Sequence, residues 1–489
     1  MQLRRALLIS TADRYVGMVV NFAQLAIIAR LMTPDEFGVA VIGTAITSIA
    51  IAVREFASQV YLINRPRLSL TTIRACFTLM MLTTLLIVAV ILAMAPWMEA
   101  WYDRPGLALY LGLIGVALLL EPFSQMIVGL LRRDLAFGKV AVVNIVNVVV
   151  NAAMLVVLVG HGVGFTAFGW AWVACALASV LVAIALRPDL SVFRPSLRGL
   201  RDAVRFGAYN GAAALLYRVY EAGPLFALGQ MLSFNELGLF YRTLTLAQLP
   251  DKVVLSGVTA VALPAFSQAA REGRDLTTAY LRAVTLITAV QWPALACMAT
   301  MAEGVVHVVL GDTWMAVAPL LRIMAVASLF AFTSELNYPV LVATGAMRQN
   351  LRRALIAWPG SAAIIMGFAV FGLHAVVLSF LVVIPFQALV SVLAVRHSLS
   401  LSTRKLFGAV GRSAVVTGIT VLGPLTVMAL QPTHTVMSPW ALFVSLLLAM
   451  LAWLAALRLT RHPAWQEILR LLPARAPAGG LVAVAGARD

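Results

Sequence analysis

Residues 75–95 read ACFTLMMLTTLLIVAVILAMA, with Arg65, Arg67 and Arg74 before them and Trp97 to Pro105 after. The run carries no charge, and its length suits a bilayer core of ~30 Å. The same beat repeats along all 489 residues. An apolar run of about 20 residues, the length of one span, is followed by a short loop, and every second loop carries the arginines. The pattern predicts an all-α integral membrane protein of many spans.

Composition agrees. Hydrophobic residues make up 62% and charged residues 11%, against ~45–50% and ~25% in soluble domains. No loop is long enough to hide a soluble domain. The net charge of +16 is spread over short loops beside apolar runs, which points to retention in the cytoplasm and contact with anionic membrane lipids, not to nucleic acid. Cys76, Cys175 and Cys297 all fall inside apolar runs, so neither a disulfide framework nor a metal site is expected. Asp13 and Arg14 interrupt the first apolar stretch and no small-residue cleavage site follows, which predicts an uncleaved first span.

The expected spans are 10–31, 38–62, 75–95, 107–130, 140–160, 165–186, 207–231, 237–262, 283–303, 317–343, 354–373, 376–395, 413–430 and 439–458, about 14 in all. With the N-terminus inside, 29 of the 36 Lys and Arg residues fall in cytoplasmic segments. The densest are Arg187, Arg194, Arg198, Arg201 and Arg205, and the basic tail after Leu459. This asymmetry places both termini in the cytoplasm. Residues 464–472 are expected to form a short surface helix, and the rest of the tail to be disordered.

An internal repeat organises the spans. Residues 31–39, LMTPDEFGV, align with residues 231–239, MLSFNELGL, at an offset of 200. Each segment ends one span, turns, and starts the next on Glu-x-Gly. Thr33 or Ser233 can cap the new helix, with Glu36 or Glu236 three residues on completing a capping box. Six spans separate the copies, so they point the same way through the membrane, the parallel-repeat arrangement. The expected architecture is two pseudo-symmetric six-helix lobes, 1–200 and 201–400, around a central cavity. Two extra helices over 401–460 and a cytoplasmic tail over 461–489 follow.

The run Ala29-Arg30-Leu31-Met32-Thr33-Pro34-Asp35-Glu36-Phe37-Gly38 resembles the hairpin that opens polysaccharide and lipopolysaccharide flippases. Arg54-Glu55-Phe56 with Tyr61-Leu62-Ile63 is similar to their second span. Gly238-Leu239-Phe240-Tyr241-Arg242 through Leu249-Pro250 is similar to their eighth, and Leu263-Pro264-Ala265-Phe266-Ser267 to the segment closing it. Leu310-Gly311-Asp312-Thr313-Trp314 and Ala318-Pro319-Leu320-Leu321 resemble the loop between the ninth and tenth. The likeness runs in order over residues 10–400, to the Wzx-type branch of the multidrug/oligosaccharidyl-lipid/polysaccharide exporter superfamily. It departs where many relatives carry an aspartate before the glycine matching Gly229; here stand Glu221, Gly223 and Pro224. The resemblance implies a bacterial inner-membrane transporter, not an enzyme. It would carry a polyprenyl-diphosphate-linked oligosaccharide to the periplasmic leaflet by alternating access, alongside a polysaccharide polymerase and glycosyltransferases.

The charges left within spans suit such a cargo. Arg54, Arg218, Arg242, Lys252 and Arg322 lie in expected spans, where a lipid-facing cation costs about 2.5–3.5 kcal/mol. Guanidinium groups donate bidentately to phosphate, so a wet cavity serving an anionic headgroup would accommodate them. Arg54 and Glu55 are adjacent and point about 100° apart on a helix, so at least one needs a partner elsewhere; Arg54 reads as a cavity cation or as half of a salt bridge. Arg218 and Glu221 can pair at i,i+3. Arg242 could snorkel to the interface, Lys252 stands beside Asp251, and Arg322 is near a span end. Tyr217 and Tyr220 flank Arg218 and would suit sugar rings or a helix interface. Glu121 and Glu335 are lone acids, candidates for coupling to H+ or Na+. Asn144, Asn147 and Asn151 read as interhelical hydrogen bonds.

No phosphate-cradling glycine loop or catalytic constellation appears, which excludes an ATP-driven pump within this chain and predicts no cofactor. Energy would come from an ion gradient or from consumption of the product. Alternatives from the same superfamily are a lipid II flippase and a cation-coupled drug exporter. The excess of basic over acidic groups in the spans disfavours the latter. A membrane polymerase or ligase would need a long outer catalytic loop, and the longest here is about ten residues by the span placement above.

Overall fold

A computed structural model describes residues 2–54, 69–198, 200–252, 265–399, 401–431 and 437–471. Helices account for the regular structure of these residues. In order they are α1 (Gln2–Leu31), α2 (Pro34–Arg54), α3 (Leu70–Tyr102), α4 (Leu107–Arg133), α5 (Phe137–Gly160), α6 (Thr166–Leu186), α7 (Leu200–Met231), α8 (Phe234–Ala247) and α9 (Leu276–Thr300). There follow α10 (Ala302–Val309), α11 (Val317–Ser328), α12 (Ser334–Ala343), α13 (Met347–Ala369), α14 (Leu373–Ser398), α15 (Thr403–Leu430), α16 (Pro439–Leu459) and α17 (Pro463–Leu471).

Among the described residues nine helices are long and apolar enough to cross a membrane, and α11 with α12 forms a tenth path bent by 47°. The expected continuous span 317–343 is therefore broken, at a short 3-10 turn over Ala331–Thr333. Helices α1, α7, α8 and α13 complete a set compatible with the fourteen expected spans. These helices carry charge or, as with α8, are short, its 14 residues ending at a turn on Gln248. The ends of the second and eighth spans and the tail beyond residue 471 lie outside the described residues. The chain is a multi-pass, all-helical membrane protein.

Several helices run past the apolar windows that announced them. Helix α3 starts at Leu70 rather than 75, α13 at Met347 rather than 354, and α15 at Thr403 rather than 413. Each added turn carries arginine or lysine. Backbone hydrogen bonding continues through headgroup-level residues whose charges sit in water, so hydropathy ends before the helix does.

The helices gather into two compact units. The first comprises Met1–Ala247, Ala302–Met324 and Leu355–Phe386; the second comprises Gln248–Met301, Ala325–Ala354 and Gln387–Asp489. In the first unit α4 packs on α3 and α6, α5 on α1 and α6, and α2 on α7 and α8. The asparagine stripe of α5 stitches three helices together. Asn144 donates to Asp13 Oδ2 (2.8 Å), Asn147 to Ser179 Oγ (2.9 Å), and Gln24 to Asn151 Oδ1 (3.2 Å). In membranes such bonds contribute about 0.6 kcal/mol each. In the second unit α15 packs between α9 and α16, and the amphipathic α17 docks through Ala464, Trp465 and Ile468. Cys76, Cys175 and Cys297 are free and buried.

The repeat motif is visible in the first unit. Both expected capping boxes form: Glu36 N–H donates to Thr33 Oγ1 (3.4 Å) and Thr33 N–H to Glu36 Oε2 (3.3 Å). Likewise Glu236 N–H donates to Ser233 Oγ (3.2 Å) and Ser233 N–H to Glu236 Oε2 (3.0 Å). The two hairpins meet where α2 crosses α8. Arg104, from the α3–α4 turn, donates to Asp35 of one hairpin (2.7 Å) and lies 4.7 Å over the Phe234 ring of the other.

Candidate functional site

Charged side chains inside the first unit's helices define the candidate site. Arg54, on the last turn of α2, forms an ion pair with Glu121 of α4. The side chains are 11% and 29% exposed. Two residues that sequence reading treated separately, one as a substrate cation and one as a coupling acid, are thus brought together although they lie 67 positions apart. Glu121 precedes Pro122, which interrupts the hydrogen-bond ladder of α4, and Ser124 Oγ turns back to the Glu121 carbonyl at 3.0 Å.

Arg218 and Glu221 pair along α7 at 2.5 Å and stay solvent-accessible, with side chains 40% and 49% exposed. One residue before Glu221, the Tyr220 ring lies parallel to Trp358 of α13, with centroids 5.5 Å apart and planes at 14°. Trp358 was missed from the sequence. Its only local signal is an aromatic ring beside Pro359 and Gly360 within a span.

Arg242 is neither snorkelled nor paired with an acid among the described residues. It is 4% exposed, and its guanidinium lies 3.7 Å over the Phe37 ring and 5.3 Å from the Trp314 ring. Its Nε has no hydrogen-bond partner. Phe37 also packs against Tyr241 (6.0 Å) and Trp314 (5.8 Å), so the cation closes an aromatic cluster beside the crossed hairpins. Trp314 Nε1 donates to the Ala29 carbonyl, and Arg30 Nη2 to that of Val308 (2.7 Å). Arg322 meets Glu303 at 3.1 Å with both side chains about half exposed, the geometry of an interfacial pair.

In the second unit Asp251 is half-buried and accepts from Gln291 Nε2 at 2.6 Å, while Lys252 is exposed. Glu55 lies outside the described residues, as do the side chains of Tyr217 and Glu335.

A groove of about 820 Å³ opens between α2, α3 and α7. Ile46, Val53, Leu86, Trp97, Trp101 and Phe226 are among its lining residues, and Val53 is adjacent to Arg54. The first unit therefore carries cations paired with carboxylates, an aromatic stack and an apolar furrow.

The sequence profile of the family described as polysaccharide biosynthesis protein matches residues 27–319. The chain belongs to that family. Among its relatives, the chain is 21% identical over 329 residues to the teichuronic acid biosynthesis protein TuaB of Bacillus subtilis, covering 67% of this chain and 68% of that one. It is 20% identical over 378 residues to the lipopolysaccharide biosynthesis protein WzxC of Escherichia coli, covering 74% and 75%. Its fold is that of the lipid II flippase MurJ in an inward closed conformation, with a TM-score of 0.73 at 9% identity over 95% of this chain and 100% of that one.

Proposed function

We propose that this protein is a flippase of the bacterial inner membrane. It moves a polyprenyl-diphosphate-linked oligosaccharide from the cytoplasmic to the periplasmic leaflet, for assembly of a surface polysaccharide. Both termini are cytoplasmic, because the basic loops lie on their side. The crossed hairpins then lie at the periplasmic end. Family membership and the WzxC and TuaB relatives support the pathway class.

The observation that carries the reading is the Arg54–Glu121 pair within the spans. A diphosphate outcompetes a carboxylate for a guanidinium when the carboxylate loses its charge. Protonation of Glu121 would free Arg54 to donate two parallel hydrogen bonds to the headgroup. Deprotonation on the far side would reclaim Arg54 and expel the cargo; one proton then leaves with each headgroup, and consumption of the product drives the cycle. Glu121 is thereby the coupling acid and Arg54 the phosphate ligand, with Arg218 a second cation. The hydrocarbon tail stays in lipid and meets the protein along the apolar groove beside Val53. Rocking between conformers opens each side in turn, and downstream polymerisation consumes the product.

The test is transport by the purified chain in vesicles loaded with a fluorescent polyprenyl-diphosphate oligosaccharide. Appearance of label in the opposite leaflet, accelerated by a pH gradient acidic on the loading side and slowed by the reverse gradient, is the expected result. Vesicles that scramble nothing with a well-folded protein would refute the reading.

A further inference from the structure

The stacked pair Tyr220–Trp358 has a depth that its residue types do not ordinarily choose. Trp and Tyr concentrate at the two headgroup levels, where a polar tip meets water. Trp97 stacks on Trp101 (5.1 Å) and Trp440 on Phe443 (5.6 Å) near helix ends, as that rule expects. Tyr220 and Trp358 do not. Each is 11 residues from the end of its helix on the hairpin side, Met231 for Tyr220 and Ala369 for Trp358. At 1.5 Å per residue that places them about 16 Å from those ends.

Both are partly exposed, unlike the neighbouring Ala357 and Ser361 of α13, which are 1% and 0% exposed. Glu221 follows Tyr220 and lies 100° around α7, where its half-exposed carboxylate can accept from hydroxyl groups. Parallel rings 14° apart keep their outer faces flat and electron-rich. An aromatic face beside a hydroxyl-accepting carboxylate, at mid-membrane, matches a pyranose ring. Its C–H face stacks on the aromatic quadrupole and its hydroxyl edge meets the acid.

We propose that Tyr220 and Trp358 form a carbohydrate platform that stacks a sugar ring of the cargo, with Glu221 reading its hydroxyls. This rests on the flippase reading above and adds a sugar subsite to the phosphate site at Arg54. Stacking tolerates many sugars, so the platform selects for a glycosylated lipid over a bare one rather than for one oligosaccharide.

The experiment compares binding of two probes to the purified full chain: a polyprenyl diphosphate, and the same lipid carrying one glucose. Wild type should hold the glycosylated lipid more tightly. Trp358→Ala should weaken it about tenfold, equivalent to ~1.4 kcal/mol, and leave the bare lipid within about twofold. Trp358→Phe keeps a ring and should retain most of the difference; it also serves as the folding control. Equal loss for both lipids in Trp358→Ala, or no preference for the sugar in wild type, would overturn the platform while leaving the flippase reading intact. A wild-type protein that binds neither lipid would overturn the flippase reading itself, and the platform with it.

Discussion

Gly38 and Gly238 lie against each other's helix starts at the crossing of α2 and α8. A Cβ at Gly38 would fall 1.8 Å from the Phe234 carbonyl oxygen, and one at Gly238 would fall 2.0 Å from the Pro34 carbonyl oxygen. The contact is reciprocal, as a two-fold between repeated hairpins requires. Both obstructing atoms are backbone, so neither can swing aside, and any side chain would force the helices apart. The crossing fastens α2 to α8 at the hairpin end of the first unit, with the Arg242 cluster against it through Phe37. Gly238→Ala should therefore loosen that end. In the folded variant, a cysteine at Val41, which is 1% exposed, should react several-fold faster with an impermeant thiol reagent, and transport should fall. Unchanged reactivity with unchanged transport would contradict a fastening role.

Arg54 and Glu121 make a pair whose two halves respond differently to substitution. Removing one partner of a buried pair leaves an uncompensated charge and costs about 3–5 kcal/mol. Arg54→Ala and Glu121→Ala should both lower abundance in the membrane. Replacing both by leucine should recover abundance, because an apolar pair can pack as well as an ionic one. Transport should not recover. The swapped pair Arg54→Glu with Glu121→Arg keeps the salt bridge but moves the cation to α4. If that swap transports at the wild-type rate, the bridge is structural and Arg54 does not contact the diphosphate. Glu121→Gln should preserve abundance better than Glu121→Ala and abolish the response to a pH gradient.

Sidedness can be read by cysteine labelling. Asn235 and Asp312 belong to the hairpin side, and Leu135 and Leu197 to the basic side, where the last two are 68% and 73% exposed. Cysteines at 235 and 312 should react in intact cells with an impermeant reagent. Those at 135 and 197 should react only after permeabilisation. Labelling at 197 from outside would invert the topology and the direction of transport proposed.

How much of this was legible depends on how local each feature is. The capping boxes at Thr33–Glu36 and Ser233–Glu236 are written within four residues each, and the apolar runs within about twenty, so both could be read directly. The asparagine stripe of α5 was legible as a face, though its partners Asp13, Gln24 and Ser179 were not. The Arg54–Glu121 pair depends on how α4 sets against α2, and hydropathy carries no information about that. Arg242 looked like a phosphate ligand or a snorkelling residue. Its cover of Phe37 and Trp314 comes from segments more than 70 residues away on one side and 200 on the other. Trp358 escaped because one tryptophan in a span has no meaning until Tyr220 lies parallel to it.

His462 offers a pH test outside the membrane spans. It joins α16 to α17 and is 1% exposed. Its Nδ1 accepts from the Ala464 N–H at 3.1 Å, capping α17, which leaves the proton on Nε2, 3.2 Å from Ser413 Oγ. Ser413 in turn holds Thr288 of α9 at 2.8 Å, and Arg282 of α9 pairs with Glu467 on α17. Burial, and then the charge of Arg412, push the imidazole below its ordinary value, which is about 6.5. The docked form therefore favours neutral histidine and the undocked form binds the extra proton. Docking is fully supported above about 6.5, the value of the released imidazole, and weakens as pH falls below it. A protonated Nδ1 cannot accept from Ala464, so the cap is lost with the neutral form. Amide exchange across Pro463–Leu471 should accelerate as pH is lowered from 8 to 5, after correction for intrinsic rates. His462→Ala should cost about 1 kcal/mol of docking at neutral pH and flatten that response. Exchange that is as pH-sensitive in His462→Ala as in wild type would assign the switch to another group.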